Sequence, residues 1–214
     1  MFKQIAKVGA LILSPPFCEG CRRAIADRFI FCIDCFDKIK MVTTREIPIT
    51  KNMSAKLFAI ADYTEPLRSL ILAKKYSNQL ASKQLAKLIW QMTALRYSEF
   101  DYLVPVPLHW ARQLKRGYNQ AEIIADELAK FSGAKKLNLL KRKKYTWYQS
   151  SLDASQREKN LKNSFTLTGK IEKGSKILLV DDLFTSGATI KFAAKELLKT
   201  LPAQIDVAVA CRVV

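Results

Sequence analysis

The chain predicts an α/β fold, a mostly parallel sheet flanked by helices with a small N-terminal knuckle appendage, on three observations. Short apolar, β-rich runs alternate with amphipathic helical stretches through the body of the chain. One of those runs, Ile177-Leu178-Leu179-Val180, stops in two adjacent carboxylates and a loop of small residues before the next helix. Ahead of the alternation stands C-x2-C-x10-C-x2-C, formed by Cys18, Cys21, Cys32 and Cys35. Two units are therefore expected: an N-terminal helix and four-cysteine subdomain over residues 1–60, and the α/β body over residues 61–214.

Residues 1–13 read as a short helix packed on the body. Their apolar run, Val8 to Leu13, is shorter than the core of a usual signal peptide, and Pro15-Pro16 leads straight into the first knuckle. Thr43 to Lys56 is polar and contains proline, which suggests a connector. Pro66 suits the first turn of a helix carrying Leu67, Leu70 and Ile71. Ala81, Leu85, Leu88, Ile89 and Met92 recur at the spacing of one buried helical stripe. Tyr102 to Pro105 is a strand that its proline ends, and residues 108–118 form a basic loop. Asn119 can cap a helix bearing Ala121, Ile124, Ala125 and Leu128, which Gly133 stops. Leu137 to Leu140 reads as a short strand, and 141–163 as a long polar, basic and aromatic connection of the kind that usually carries function. A strand near Phe165, a turn at Lys173-Gly174, the strand Lys176 to Val180, a helix burying Ile190, Ala194, Leu197 and Leu198, and a strand from Ile205 to Val213 complete the order.

The 214 residues are 49% hydrophobic, enough for a substantial core and too apolar for a disordered chain. No apolar stretch approaches the roughly 18–20 residues that span a bilayer, so no membrane span is expected. Thirty-six Lys and Arg against 19 Asp and Glu set a formal net charge of +17. Such an excess predicts an anionic partner: phosphate, nucleic acid or acidic lipid. Its densest share lies in residues 135–162, where nine basic side chains face only Asp153 and Glu158. Lys141, Arg142, Lys143, Lys144 and Arg157 there are interleaved with Tyr145, Trp147 and Tyr148, a pattern that suits single-stranded DNA, since bases stack on rings while cations track phosphates.

The cysteines number five, an odd count, and four of them form two close pairs. A secreted disulfide framework spreads its cysteines, whereas paired knuckles place two thiolates on each of two tight turns and complete a tetrahedron around Zn²⁺. All four positions are then filled, so the metal is expected to be structural and the protein cytoplasmic. With the site loaded, the net charge falls to about +15. Cys211, in an apolar strand, reads as an inert core thiol.

The stretch Val180-Asp181-Asp182-Leu183-Phe184-Thr185-Ser186-Gly187-Ala188-Thr189 is a phosphate cradle by its chemistry. Backbone amides, three hydroxyls and a helix N-terminus converge at the carboxyl end of a strand, where open α/β sheets bind their ligands. It lacks the Gly-Lys-Ser/Thr of a Walker loop. Two carboxylates beside a phosphate make sense if sugar hydroxyls occupy them.

This stretch resembles the phosphoribosyl pyrophosphate (PRPP) motif of type I phosphoribosyltransferases. The whole chain resembles the ComF/GntX family, which is associated with DNA uptake in natural competence. The four-cysteine N-terminus, Val104-Pro105-Val106-Pro107-Leu108-His109, Arg116-Gly117-Tyr118-Asn119-Gln120 and the spaced set Arg142, Thr146, Gln149, Leu152, Arg157, Asn160 and Phe165 carry that likeness. The resemblance implies a type I phosphoribosyltransferase-like sheet in which Asp181 and Asp182 bind the ribose hydroxyls. It implies further that Thr185, Ser186, Gly187, Ala188 and Thr189 hold the 5′-phosphate. Leu108 and His109 then belong to the pyrophosphate loop, with Mg²⁺ bridging PRPP oxygens. Arg116, Arg142 and Lys144 are the candidates to stabilise the leaving pyrophosphate, and His109, the single histidine, fits a loop-orienting role. The expected function is a competence-type protein that binds PRPP with Mg²⁺ and handles single-stranded DNA, with a competence helicase or another DNA-processing protein as a further partner. The alternatives are an active transferase acting on an unidentified acceptor and a PRPP-sensing regulator.

Overall fold

The computed structural model describes residues 17–25, 30–73, 79–108, 114, 117–143 and 164–213. The helix expected over 1–13 and the centre of the basic segment lie outside the described residues. After a single helical turn, α1 (Ile33–Phe36), the elements run β1 (Arg45–Thr50), β2 (Met53–Asp62), α2 (Leu67–Ala73), α3 (Gln79–Met92), β3 (Tyr102–Pro105), α4 (Gln120–Ser132), β4 (Lys135–Lys136), β5 (Leu140–Arg142), β6 (Phe165–Leu167), β7 (Lys176–Val180), β8 (Leu183–Phe184), α5 (Ala188–Leu197) and β9 (Gln204–Arg212).

Six strands order as β1-β2-β9-β7-β3-β4, with β8 pairing on β9; only β1–β2 is antiparallel within this sheet. The central strands β7 and β9 are buried on both faces, which accounts for their mostly apolar sequences, interrupted inside β9 by the buried Asp206. Alternation divides them cleanly. Leu178, Val180, Ala208 and Ala210 face α2, α3 and α4, while Ile177, Leu179, Ile205, Val207 and Val209 face α5. Among the described residues no helix is long and apolar enough to cross a membrane.

Two expectations need correction. Thr43 to Lys56, read as a connector, supplies β1 and the start of β2. Only Ile47 and Ile49 of β1 are buried, so its alternation is short, and Pro48 is tolerated because β1 is an edge strand. A unit boundary at residue 60 consequently falls inside β2. Of the strand read at Leu137 to Leu140 only Leu140 lies in a strand: β4 ends before it at Lys136, and β5 begins at Leu140 and forms a separate antiparallel hairpin with β6. Leu137 and Leu139 are packed against the α5 face without belonging to either strand. The caps stand as expected: Asn119 Oδ1 accepts from Ala121 N–H at 3.2 Å, and Gly133 ends α4 at φ +73°.

Candidate functional site

The cradle is built from main chain. Beyond β7 the strand direction breaks at Asp181 and Asp182, both half-buried. Asp181 N–H donates to Ala208 O at 3.0 Å, Ala210 N–H donates to Asp182 O at 3.2 Å, and Asp182 N–H donates to the Asp181 carboxylate at 2.8 Å. The chain rejoins the sheet as β8, beside Cys211 and Arg212. It then turns through Thr185, Ser186 and Gly187 into α5. Gly187 is the N-cap at φ +73°, and an added Cβ there would lie 2.8 Å from Phe184 Cζ. Handedness and space both demand glycine at this point. Ser186 is exposed and Thr185, Gly187, Ala188 and Thr189 half-buried, so the loop is open to a ligand at the N-terminus of a ten-residue helix.

The second strand end is held to the first. Val106 N–H donates to Val180 O at 2.8 Å, extending the β3–β7 ladder by one residue. The buried Asn119 side chain, besides capping α4, donates to Val106 O at 3.0 Å. One side chain thus joins the two ends of the loop from Pro107 to Tyr118. Leu108 is half-buried at its start; His109 and Arg116 lie outside the described residues.

Of the basic segment, Lys141 and Lys143 are exposed on and beside β5. Arg142 behaves differently: it is buried, with its guanidinium 5.5 Å from the Phe165 ring centre. Lys143 N–H donates to Ser164 O at 2.8 Å, so the two ends of the segment between them stand together. The hairpin is tied to α5, where Leu167 N–H donates to the Glu196 carboxylate at 3.3 Å. Lys144, Tyr145, Trp147, Tyr148 and Arg157 lie outside the described residues.

The four cysteines converge. The Sγ atoms of Cys18, Cys21, Cys32 and Cys35 all lie within 4.8 Å of one another, and Cys21 and Cys32 are 3.7 Å apart. Sulfurs at zinc–thiolate distance on a tetrahedron are separated by about 3.8 Å, so the set fits a tetrahedral metal. Cys18 and Cys35 are buried and share a core with Phe58, Ile60, Leu67 and Leu70. Gly20 packs so closely on Pro66 and Cys35 that a Cβ would meet each at 2.9 Å. The knuckles therefore sit on the body where β2 ends and α2 begins.

Sequence reading overlooked Arg23. Its Nε donates to Cys21 Sγ at 3.4 Å, and its guanidinium reaches Cys32 Sγ and pairs with Asp34. That hydrogen bond is the main cause of a Cys21 thiol pKa down to about 6. Burial, by contrast, pushes Cys35 up to about 12. At Cys18 burial acts upward too, but the amides of Cys21, Cys32 and Gly20 outweigh it and the net shift is downward. Asp34 is held below the usual carboxylate range by Arg23. Only the adjacency of Arg23 to Cys21 hinted at this role.

Residues 113–213 match the phosphoribosyl transferase domain, which places the cradle, β7 and α5 in that class of fold. The chain is 32% identical over 203 residues to competence protein F of Haemophilus influenzae, covering 89% of this chain and 87% of that one. It is 30% identical over 207 residues to DNA utilization protein YhgH of Salmonella typhimurium, covering 91% and 89%. Competence protein ComFC of Bacillus subtilis matches over 97 residues at 35% identity, or 45% of this chain and 38% of that one. The chain belongs to this competence protein F family of phosphoribosyltransferase-domain proteins with a four-cysteine cluster.

Proposed function

We propose that this protein serves DNA utilization in natural competence by binding PRPP with Mg²⁺ at the β7–α5 cradle while engaging single-stranded DNA through its basic segment. The observation that carries this reading is the pair Asp181 and Asp182, held at the carboxyl end of a central parallel strand beside an open glycine-capped helix N-terminus. The carboxylates accept the ribose hydroxyls, and the amides from Thr185 to Thr189 take the 5′-phosphate. Mg²⁺ supplies charge neutralisation of the pyrophosphate when bound, and His109, Arg116 and Lys144 are the protein groups assigned to that end. Arg142, being buried over Phe165, is assigned to anchoring the basic segment. Lys141 and Lys143 are left to meet phosphate. The four cysteines hold Zn²⁺ as a structural ion with no open position, and the site of action is the cytoplasm, where incoming strand meets a helicase or another DNA-processing partner.

Titrating PRPP·Mg²⁺ into the protein with and without a labelled oligonucleotide tests both ligands and their coupling. Charge-assisted hydrogen bonds contribute about 1.5–3 kcal/mol each, so Asp181→Asn with Asp182→Asn should weaken PRPP by about 100-fold or more. Unchanged affinity in the double variant rejects the cradle reading. Oligonucleotide binding that is insensitive to salt rejects the strand-binding reading. The phosphoribosyl transferase match at residues 113–213 favours a second reading, transfer of phosphoribose to an acceptor; pyrophosphate release that requires an added base, amine or nucleic acid distinguishes it.

A further inference from the structure

The chain holds a second basic and aromatic run besides residues 135–162. Between Glu65 and Glu99 stand six Lys or Arg and no acid, and α3 lies wholly inside that stretch. We propose that the outer face of α3, with the adjoining ends of α4 and the turn after α3, is a docking surface for single-stranded DNA. The inference takes its partner from the proposed function and rests on residues that the proposed function does not use.

On α3 the stripe Ala81, Ser82, Leu85, Ala86, Leu88 and Ile89 is buried. Lys83, Lys87 and Trp90 fall on the other side, at i, i+4 and i+7 along one helix face. Both lysines are exposed, and no ion pair joins either to a carboxylate among the described residues. Trp90 stacks on Phe131 of α4, with ring centres 6.0 Å apart and planes inclined by 26°. Phe131 is exposed and Trp90 half-buried, so the ring pair is not sealed in the core. At the same end of α3, the Arg96 guanidinium donates to Gln91 O at 3.2 Å. It also lies 4.8 Å from the centre of the Tyr97 ring, which is 77% exposed.

A ring left that far in solvent adds little to the core, so packing does not account for Tyr97. Exposed rings beside unpaired cations offer what a single strand needs: faces for unpaired bases and positive charge for phosphates. Duplex bases are stacked on one another and cannot use the rings, and an acidic peptide would use the charge alone. The neighbouring acids of α4 are already engaged. Asp126 pairs with Lys136, Glu127 pairs with Lys130, and Glu122 accepts from Asn119 Nδ2. Topology separates this surface from the basic segment. The helices α3 and α4 cover the Leu178 and Val180 side of the sheet, whereas the β5–β6 hairpin packs on the α5 side.

The test is fluorescence anisotropy of labelled oligo(dT) on the full chain, with a duplex of equal length and poly-glutamate as competitors. Both competitors should be weaker than unlabelled oligo(dT). Lys83→Glu with Lys87→Glu, on an exposed helix face, should weaken oligo(dT) by about tenfold or more and leave the melting temperature unchanged. The paired Lys83→Gln and Lys87→Gln variant should lower the salt slope by about 1.4, the share of two phosphate contacts on a single strand. Tyr97→Ala should weaken binding by about fivefold or more, the contribution of one stacked base. With Trp110→Phe and Trp147→Phe in place, saturating oligo(dT) should quench the fluorescence of Trp90. Affinity indifferent to the α3 charge reversal, competitors as strong as the single strand, or unquenched Trp90 at saturation would overturn the proposal. Lys141→Glu with Lys143→Glu separates this surface from the basic segment. If that pair leaves binding intact while the α3 reversal abolishes it, the basic-segment reading has failed and the α3 surface stands. The converse result overturns the α3 surface alone, and a wild type that binds no single strand overturns both.

Discussion

The loop after β7 and the cysteine cluster each gather polar groups at one point, by opposite means. At the cradle the groups proposed to work are the Asp181 and Asp182 carboxylates and the amides of a glycine-capped loop, held in place by the sheet. At the cluster the groups are four thiols, and the regular backbone among the described residues is one short helical turn and the Phe17–Ala24 bridge. At the first, the strands β7 and β8 that lead into the loop both pair with β9. The second is seated in the body's core through Cys18 and Cys35, while Cys21 stays exposed.

Removing the metal should expose the difference most strongly. Structural zinc sites have apparent binding free energies on the order of 10–16 kcal/mol, most of it coupled to folding. Chelation, or Cys35→Ser, should abolish 1:1 zinc by elemental analysis and open the knuckles to proteolysis, while the far-ultraviolet signal of the sheet and helices remains. Loss of the sheet signal together with the metal would show that the knuckles hold up the body as well.

The cradle breaks through its backbone. Gly187→Ala forces a Cβ into the Phe184 ring and a positive φ on an L-residue, at a cost of about 1–3 kcal/mol. Urea denaturation should register that loss, and PRPP affinity should fall by about tenfold. A neutral outcome would mean that the loop relaxes more freely than the shared ring contact implies.

Asn119→Ala removes both an N-cap and the tie to Val106 O. A lost cap costs about 1 kcal/mol, so thermal melting should drop by a few degrees for a chain of this size. Asn119→Asp, which keeps the cap acceptor and loses the donor, should recover part of it.

The smallest effect concerns pH. Arg23 keeps the Cys21 thiol ionised from about pH 6 upward. Protons compete with metal for all four thiols, so zinc affinity should fall as the pH is lowered. Arg23→Ala raises the Cys21 pKa and moves the release midpoint to higher pH, by well under a unit given the exposure of the pair. A dye-based zinc assay across pH 4–8 reads the shift; a midpoint moving downward would contradict the role given to Arg23.

Where a signal is local, the sequence carried it. The knuckle spacing, the Asn119 and Gly133 caps, the stripe from Ala81 to Met92 and the strand into Asp181-Asp182 each depend on residues within a turn or two of one another. Arg142 shows the limit: a basic residue inside a basic run reads as surface, and only its stacking on Phe165, placed opposite by the β5–β6 register, buries it. The β1–β2 hairpin shows another, since an edge strand needs only Ile47 and Ile49 inside and so leaves too short a pattern to see.

By itself, the sequence determined the parts: an alternating α/β body, a metal-competent set of thiols and a glycine-capped loop after paired aspartates, because spacing and turn chemistry act over a few residues. Tertiary structure alone decided their neighbours. The packing of β1 against α5 puts Arg45 and Lys191, far apart in the chain, at one cavity with Ser186, Gly187 and Ala188. The same packing seats the cysteines in the body's own core. Long-range pairing follows from burying both faces of a shared sheet, a requirement that no single segment expresses.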